Sequence, residues 1–551
     1  MRRFDRGLSG HPVAVVFQSA KRIGDKRHDS ASRIGAPSLA GLKGSARRLR
    51  RASRSWRASP LGRRHDWASP ESARRRRFLP RFANERLLDF ASAIRRRRLR
   101  RGATHCVTIK NPECGPCYAT AVADLETMTA EERAAQMLKP RPRQLPIAPH
   151  APPARRQLPL AAAREKDAAY QPIYAVWEIT LKCDLACRHC GSRAGHERTG
   201  ELSTAECLDL VRQMAELGVR ETTLIGGEAY LRDDWLDIVR ELKRYGMSPT
   251  MTTGGRGMTA ERAREAKAAG MDSVSVSIDG LEATHDRLRG VVGSHKSALE
   301  AMKNLREAGV RVATNTQINR LSMPELPDIL ETIAAQGAHS WQLQLTVPMG
   351  RAADEPDVLL RPYDMLELFP LLGRLKARAD ELGVRIWPGN NIGYFGPYES
   401  VLKGGLPRGH MASCGAGRST LGIEADGAIK GCPSLPTEAW TGGNIRDNSL
   451  REIWERSTPL RYTRDRSVED LWGFCRTCYY AEECLAGCTW TSHVFFGRPG
   501  NNPYCHHRAL EMQRNGQRER LVQTQMASGT PFDYSHFELV VEADPSAEVS
   551  R

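Results

Sequence analysis

Apolar and polar positions along residues 174–382 predict a repeated unit in which a strand is followed by a helix. Short runs rich in β-branched and apolar residues predict strands, at Tyr174–Thr180, Glu221–Ile225, Ser248–Thr253, Asp272–Ile278, Arg311–Gln317 and Trp341–Thr346. Stretches with apolar residues at helical spacing follow them, near residues 203–217, 233–245, 259–269, 295–308, 324–336 and 362–382. Six such units predict an α/β fold with a parallel sheet curved into a partial (β/α)6, TIM-like barrel.

Local end signals support these helices. Ser203 and Glu206 have the spacing of a capping box at the start of the first helix. Gly218 and Gly270 follow two of the helices, where glycine readily adopts the left-handed conformation that ends a helix. Because barrels of this kind bind ligands at the carboxyl ends of their strands, motifs that directly follow a strand are the functional candidates.

The positive charge of the chain is concentrated in its first hundred residues. The 551 residues carry a formal net charge of +18, yet residues 1–100 alone hold 28 Lys and Arg against 7 Asp and Glu. The remaining residues are close to neutral, which argues against nucleic acid as a partner. We therefore predict that the Arg-rich residues 1–127 are largely disordered or precede the true start. The Pro- and Ala-rich residues 128–170 are predicted to be a linker to a barrel over residues 171–385.

Three cysteines follow the first predicted strand closely, at Cys183, Cys187 and Cys190. Three thiolates on one loop can hold three irons of a [4Fe–4S] cluster and leave the fourth iron open to a ligand. A zinc site is the alternative, with a nearby histidine as its fourth ligand. Gly226, Gly227 and Glu228 end the second strand, where glycines permit a close backbone approach and the carboxylate can hold an ammonium group.

This combination resembles the radical S-adenosylmethionine (SAM) superfamily. The resemblance implies that Cys183, Cys187 and Cys190 bind a [4Fe–4S] cluster whose open iron binds SAM. It also implies that SAM is contacted by the ends of the second and fourth strands and by an arginine that follows the fourth strand, through Gly226, Gly227, Glu228, Ser277 and Arg289. Reductive cleavage of SAM would then yield a 5′-deoxyadenosyl radical that abstracts hydrogen. No catalytic acid or base is identified.

Seven further cysteines follow the predicted barrel, at Cys414, Cys432, Cys475, Cys478, Cys484, Cys488 and Cys505. The central four alone would also suit a zinc ribbon. The full pattern resembles the SPASM domain of peptide-modifying radical SAM enzymes, which we place at residues 386–515, before a C-terminal tail at 516–551. The resemblance implies two auxiliary iron–sulfur clusters. Cys414, Cys432 and Cys488 would bind the first, and Cys475, Cys478, Cys484 and Cys505 the second.

The resemblance favours an enzyme that crosslinks or oxidises a ribosomally made peptide. We expect a separate leader-binding protein and an electron donor such as flavodoxin or ferredoxin as partners, and a cytoplasmic location, since no apolar run is long enough to span a bilayer. Three alternatives remain open: a radical SAM enzyme that modifies a small molecule such as a porphyrin, one that modifies RNA, and a zinc-stabilised scaffold protein.

Overall fold

The computed structural model describes residues 158–392, 396–404 and 414–545. The Arg-rich segment at residues 1–127 and residues 128–157 of the predicted linker lie outside the described residues. The described end of that linker contains a short 3-10 helix, Glu165–Ala169, whose Asp167 is fully buried. No described helix combines the length and the apolar character that crossing a membrane requires.

The six predicted strands are confirmed, each to within one residue at either end, and a seventh parallel strand follows them. The strands pair in sequential order as neighbours in one sheet. Their bounds are β1 Tyr174–Thr180, β2 Glu221–Gly226, β3 Ser248–Thr253, β4 Ser273–Ser277, β5 Arg311–Ile318, β6 Ser340–Leu345 and β7 Arg385–Pro388.

The predicted helices are also present. Their bounds are α1 Thr204–Leu217, α2 Trp235–Arg244, α3 Ala260–Ala269, α5 Ser294–Glu307, α6 Leu326–Ala335 and α7 Met365–Glu381, and an unpredicted helix, α4 Glu282–Arg289, precedes α5. The Ser203 side chain accepts a hydrogen bond from the backbone N–H of Glu206, and the Glu206 side chain accepts one from Ser203, so the capping box forms. Gly218 and Gly270 end their helices at φ values of +97° and +102°.

The two faces of the strands differ in chemistry. The outer face packs against the helices through apolar side chains such as Trp177, Leu224 and Trp341, which are completely buried. The inner face carries polar side chains that stay partly exposed, as the alternating burial of β3, β5 and β6 indicates. The core of this domain therefore lies between sheet and helices, and the inner face forms a polar wall.

The cysteine-rich region extends the same sheet. Strand β8 Thr420–Ile423 pairs in parallel with β1, and β9 Ala428–Lys430 and β10 Gly443–Asn444 follow it in antiparallel pairing. Short helices complete the region, namely α8 Glu399–Lys403, α9 Thr437–Trp440, α10 Leu450–Arg456, α11 Thr458–Asp465, α12 Phe474–Thr477, α13 Ala481–Cys484, α14 Thr489–Phe496 and α15 His506–Arg514.

Residues 517–543 form a hairpin, although the sequence predicts only a tail after residue 515. Strands β11 Gln517–Gln525 and β12 His536–Ala543 pair in antiparallel fashion. The hairpin is tied to α15 by a buried ion pair in which the Arg508 Nε lies 2.6 Å from a Glu519 carboxylate oxygen. Strand β11 is rich in charged and amide residues, so its pattern lacks the apolar alternation that would have predicted a strand.

Candidate active site

The loop that follows β1 carries Cys183, Cys187 and Cys190, and each sulfur has a hydrogen-bond donor near it. The backbone N–H groups of Leu185 and Ala194 each lie 3.4 Å from a sulfur, that of Cys183 and that of Cys190 respectively. The guanidinium Nη1 of Arg289 lies 3.7 Å from the Cys187 sulfur. None of the described cysteines forms a disulfide bond, so these thiols are available to bind metal.

Arg351, just after β6, holds this loop in place. Its Nε donates to the carbonyl of Cys187 at 2.6 Å, its Nη1 donates to that of Ala194 at 3.0 Å, and its backbone N–H donates to that of Cys190 at 3.0 Å. Arg351 was not among the predicted site residues, because an arginine that binds main-chain carbonyls belongs to no motif. The only available signal was its position beyond the carboxyl end of a strand.

Gly226 and Gly227 press against the cysteine loop. Gly226 has a φ of +152°, and a Cβ there would overlap the carbonyl oxygen of Thr180. A Cβ on Gly227 would overlap the carbonyl of Lys182 and lie 2.7 Å from the Cβ of Cys183. Glycine at both positions therefore permits β2 and the cysteine loop to make close backbone contact.

Glu228 is buried directly behind this contact. One of its carboxylate oxygens accepts a hydrogen bond of 2.6 Å from the N–H of Gly254, and the other accepts one from the Thr253 hydroxyl. Burial raises the pKa of Glu228 to about 7, although these two hydrogen bonds oppose the rise. A carboxylate oxygen lies within 4.8 Å of the Cys183 sulfur, so the motif residues form one cluster of side chains.

Arg289 and His189 converge on Asp279, a fully buried residue at the end of β4. Arg289 Nη2 and His189 Nε2 lie 2.6 and 2.9 Å from the same Asp279 oxygen. Burial alone would raise the pKa of Asp279, but the Arg289 guanidinium and His189 outweigh it and hold that pKa well below its usual range. Asp279 follows Ser277 in the segment that the resemblance assigns to SAM, but its pairing with His189 and Arg289 was not predicted.

Ser277 lies at the carboxyl end of β4, where the sequence places it. Its hydroxyl donates to the side-chain oxygen of Asn315 on β5 at 3.1 Å. The carboxyl ends of β1, β2 and β4 thus bring together the cysteine loop, the two glycines with Glu228, and the Ser277 region. All the site residues that were predicted in the barrel lie at this rim. Their contacts with a cofactor remain predictions.

The seven C-terminal cysteines fall into two groups in space. Burial, together with the neighbouring Cys414 and Cys488, raises the pKa of the Cys432 thiol to about 12. The other four, Cys475, Cys478, Cys484 and Cys505, line one cavity. The structure therefore brings together a set of three and a set of four thiols, with the same membership as the two sets expected from the sequence.

The donor chemistry of all three sites suits iron–sulfur clusters, which thiolates bind. For a zinc ion at the first loop the candidate fourth ligands are His189 and His196. The Nε2 atom of His189 contacts Asp279, and His196 is exposed. The three-cysteine loop thus has the composition of a cluster site that leaves one metal position open.

Comparison with known proteins agrees with this geometry. The family model described as the radical SAM superfamily matches residues 177–334, and the SPASM model, described as an iron–sulfur cluster-binding domain, matches residues 414–479. An AdoMet-dependent heme synthase of Methanosarcina barkeri is 30% identical over 358 residues, which cover 61% of this chain and 97% of the relative. The mycofactocin maturase MftC of Mycobacterium tuberculosis is 29% identical over 342 residues, which cover 61% of this chain and 83% of the relative.

Solved structures were also matched. SuiB of Streptococcus suis bound to S-adenosylmethionine has a TM-score of 0.48 at 15% identity, covering 61% of this chain and 76% of that one. The enzyme anSMEcpe with bound AdoMet has a TM-score of 0.49 at 16% identity, and the match covers 62% of this chain and 100% of that one. From the family models and the curated relatives, the chain belongs to the radical SAM superfamily, as an enzyme that binds SAM and a [4Fe–4S] cluster in its barrel and iron–sulfur clusters in a C-terminal SPASM domain.

Proposed function

We propose that Cys183, Cys187 and Cys190 bind the [4Fe–4S] cluster at which SAM is cleaved. The observation that carries this assignment is the contact between the cysteine loop and Gly227 at the carboxyl ends of β1 and β2. When bound, the cluster would supply the electron for reductive cleavage of SAM to a 5′-deoxyadenosyl radical, which abstracts hydrogen from the substrate. The protein supplies the orientation and a site shielded from water.

Individual residues have distinct tasks in this proposal. Donors from Leu185, Ala194 and Arg289 offset the negative charge of the bound thiolates. Arg351 fixes the carbonyls of the loop. We further propose that Gly226, Gly227, Glu228, Ser277 and Arg289 form the SAM site, as the resemblance implies.

We propose that the C-terminal thiols bind the two auxiliary clusters, with Cys414, Cys432 and Cys488 at the first and Cys475, Cys478, Cys484 and Cys505 at the second. Burial raises the pKa of Cys505 to about 12 and that of Cys488 to about 11. Each thiol must lose its proton when it binds iron, so assembly of the clusters releases protons. In the second set, Cys475 and Cys484 lie on two separate helices, and Cys478 and Cys505 lie outside the helices. Its assembly is therefore coupled to folding of the domain.

For the substrate, we propose a ribosomally made peptide that is oxidised or crosslinked. The support is the similarity to mycofactocin maturases, at 29% identity over most of their length. We also propose an electron donor such as flavodoxin or ferredoxin, a separate leader-binding protein, and a cytoplasmic location, where reducing conditions maintain free thiols.

Modification of a tetrapyrrole is the second candidate. It is favoured by relatives named AdoMet-dependent heme synthases, of which one from Oleidesulfovibrio alaskensis is 31% identical over 336 residues and is covered to 81%. The two candidates share the radical chemistry and differ in the substrate that the barrel must accommodate.

Anaerobic reconstitution tests the shared chemistry. We expect about twelve irons per chain and dithionite-dependent formation of 5′-deoxyadenosine, measured by mass spectrometry. Replacing Cys183, Cys187 and Cys190 together by Ala should remove about four irons and abolish 5′-deoxyadenosine, while the iron at the auxiliary sites stays bound. If the triple variant still produced 5′-deoxyadenosine, the assignment of the cleavage site would be wrong.

A further inference from the structure

The inner face of β2–β6 is lined almost entirely by uncharged hydrogen-bonding side chains. Toward the carboxyl ends these are Thr223, Thr250, Thr252, Ser275, Asn315, Gln317, Gln342 and Gln344. The charged residues of this face, Glu221 and Arg311, lie at the opposite, amino ends of β2 and β5. The wall nearest the cysteine loop is therefore polar and neutral over these five strands.

Three amides of this wall, Gln317, Gln342 and Gln344, keep unused hydrogen-bonding capacity. Gln317 Nε2 donates to Gln344 Oε1 at 3.3 Å, which leaves the Gln317 oxygen and the Gln344 nitrogen available. The side chain of Gln342 has no hydrogen-bond partner among the residues that the structure describes, and it is only partly buried. One amide group offers both a donor and an acceptor, as a peptide group does.

The spacing of these amides suits an extended chain. Gln342 and Gln344 are two positions apart on β6, so their side chains emerge about 6.6 Å apart on the same face. An extended peptide repeats at the same distance every second residue. Gln317, on β5, is directly paired with Gln344 in the register of the two strands.

The amides are also close to the proposed SAM site. The backbone N–H of Gln317 donates to Asp279 at 2.8 Å, and the other oxygen of Asp279 contacts Arg289. A ligand held by Gln317 and Gln344 would thus lie beside the rim where hydrogen is abstracted.

Several cations near this rim are paired with carboxylates, whereas Arg256 and Arg351 donate to main-chain carbonyls. Arg198 and Lys430 lie 2.5 Å from oxygens of Glu424, and Arg188 lies 2.5 Å from an oxygen of Glu355. Arg289 is held by Asp279. A ring that bears several carboxylates would require cationic partners, which the neutral wall of β2–β6 does not provide.

We infer that Gln317, Gln342 and Gln344 determine substrate specificity by binding main-chain amides of an extended, uncharged peptide segment. This inference rests on the proposed function, since it concerns the substrate of the same site. It selects the peptide over the polycarboxylate tetrapyrrole.

Binding to the reconstituted enzyme with SAM tests the inference. The first probe is a mixture of random decapeptides with blocked ends and uncharged side chains, and the second is the same mixture with methylated backbone nitrogens. The third is a porphyrin with four carboxylates. Retention by the enzyme in ultrafiltration is measured by mass spectrometry. The variants are Gln342→Met and Gln344→Met, which keep chain length but remove the amide, and the matched control is Gln336→Met at the end of α6.

We expect the unmethylated peptides to be retained more strongly than the methylated peptides and the porphyrin. Each methionine variant should weaken peptide retention about fivefold per lost hydrogen bond, whereas Gln336→Met should not change it. Preferential retention of the porphyrin, or peptide retention unchanged in both variants, would overturn the inference. Formation of 5′-deoxyadenosine by the unmodified enzyme is measured in parallel. Its loss would refute the proposed function, and its presence without peptide binding would refute the inference alone.

Discussion

Substituting Gly227 by Ala should disrupt the first cluster site through a single methyl group. The new Cβ would overlap the Lys182 carbonyl and lie 2.7 Å from the Cβ of Cys183. The Lys182 carbonyl oxygen would lie 2.0 Å from the new Cβ. Non-bonded carbon and oxygen atoms approach to about 3.3 Å, so the cysteine loop must move by about 1.3 Å. Metal sites tolerate deviations of only about 0.2 Å, and the flanking backbone has little freedom because Glu228 N–H donates to Lys182 at 2.7 Å.

The matched control is Gly191→Ala on the same loop. A Cβ there would meet only the Met349 side chain, at an ordinary distance of 3.8 Å. We expect G227A to lose about four irons, to form at least tenfold less 5′-deoxyadenosine and to lose about 2 kcal/mol of stability from overpacking. G191A should retain all three properties. Iron analysis, the 5′-deoxyadenosine assay and denaturant unfolding measure them. A G227A variant with full iron and activity would refute the reasoning that close backbone contact defines the site.

Three further predictions follow from buried charges and thiols. The pKa of Asp167 is lowered to about 2 because nearby arginines outweigh its burial; D167N should therefore lose about 2 kcal/mol at pH 7, and the difference in urea unfolding should shrink as the pH falls from 4 toward 2. E519Q breaks the buried ion pair with Arg508 and should lower the free energy of unfolding by about 3 kcal/mol. E542Q, at a half-exposed ion pair, should lower it by less than about 1 kcal/mol. Equal losses in thermal unfolding would contradict this prediction. Because burial raises the pKa of Cys432 to about 12, iron loading, monitored by absorbance, should be faster at pH 8.5 than at pH 6.5. An equal rate at both pH values would contradict the idea that the thiols release protons when they bind iron.

The barrel was predictable because its signals are local. Each strand is a short run bounded by turn residues, and Ser203, Gly218 and Gly270 mark helix ends through contacts within a few positions. The cysteine spacing was equally visible, since the three cysteines of the first loop lie within eight residues.

Features that depend on distant contacts were not predictable. Arg351 binds carbonyls more than 150 positions away, and Asp279 gains its role only when His189 and Arg289 fold onto it. The C-terminal hairpin is stabilised by a partner on α15 rather than by its own apolar pattern. A single sequence carries no local record of such pairings.

The parallel pairing of β8 with β1 has a mechanical consequence. Strand β1 leads into the Cys183 loop, and β9, which pairs with β8, ends two residues before Cys432. Because β9 runs antiparallel to β8, Cys432 lies toward the amino end of β1, whereas Cys183 lies beyond its carboxyl end. The hydrogen bonds of a continuous sheet fix the separation of the two segments. We expect the two regions to move as one stiff unit, so that electron exchange between them would not depend on a hinge or on the viscosity of the solvent.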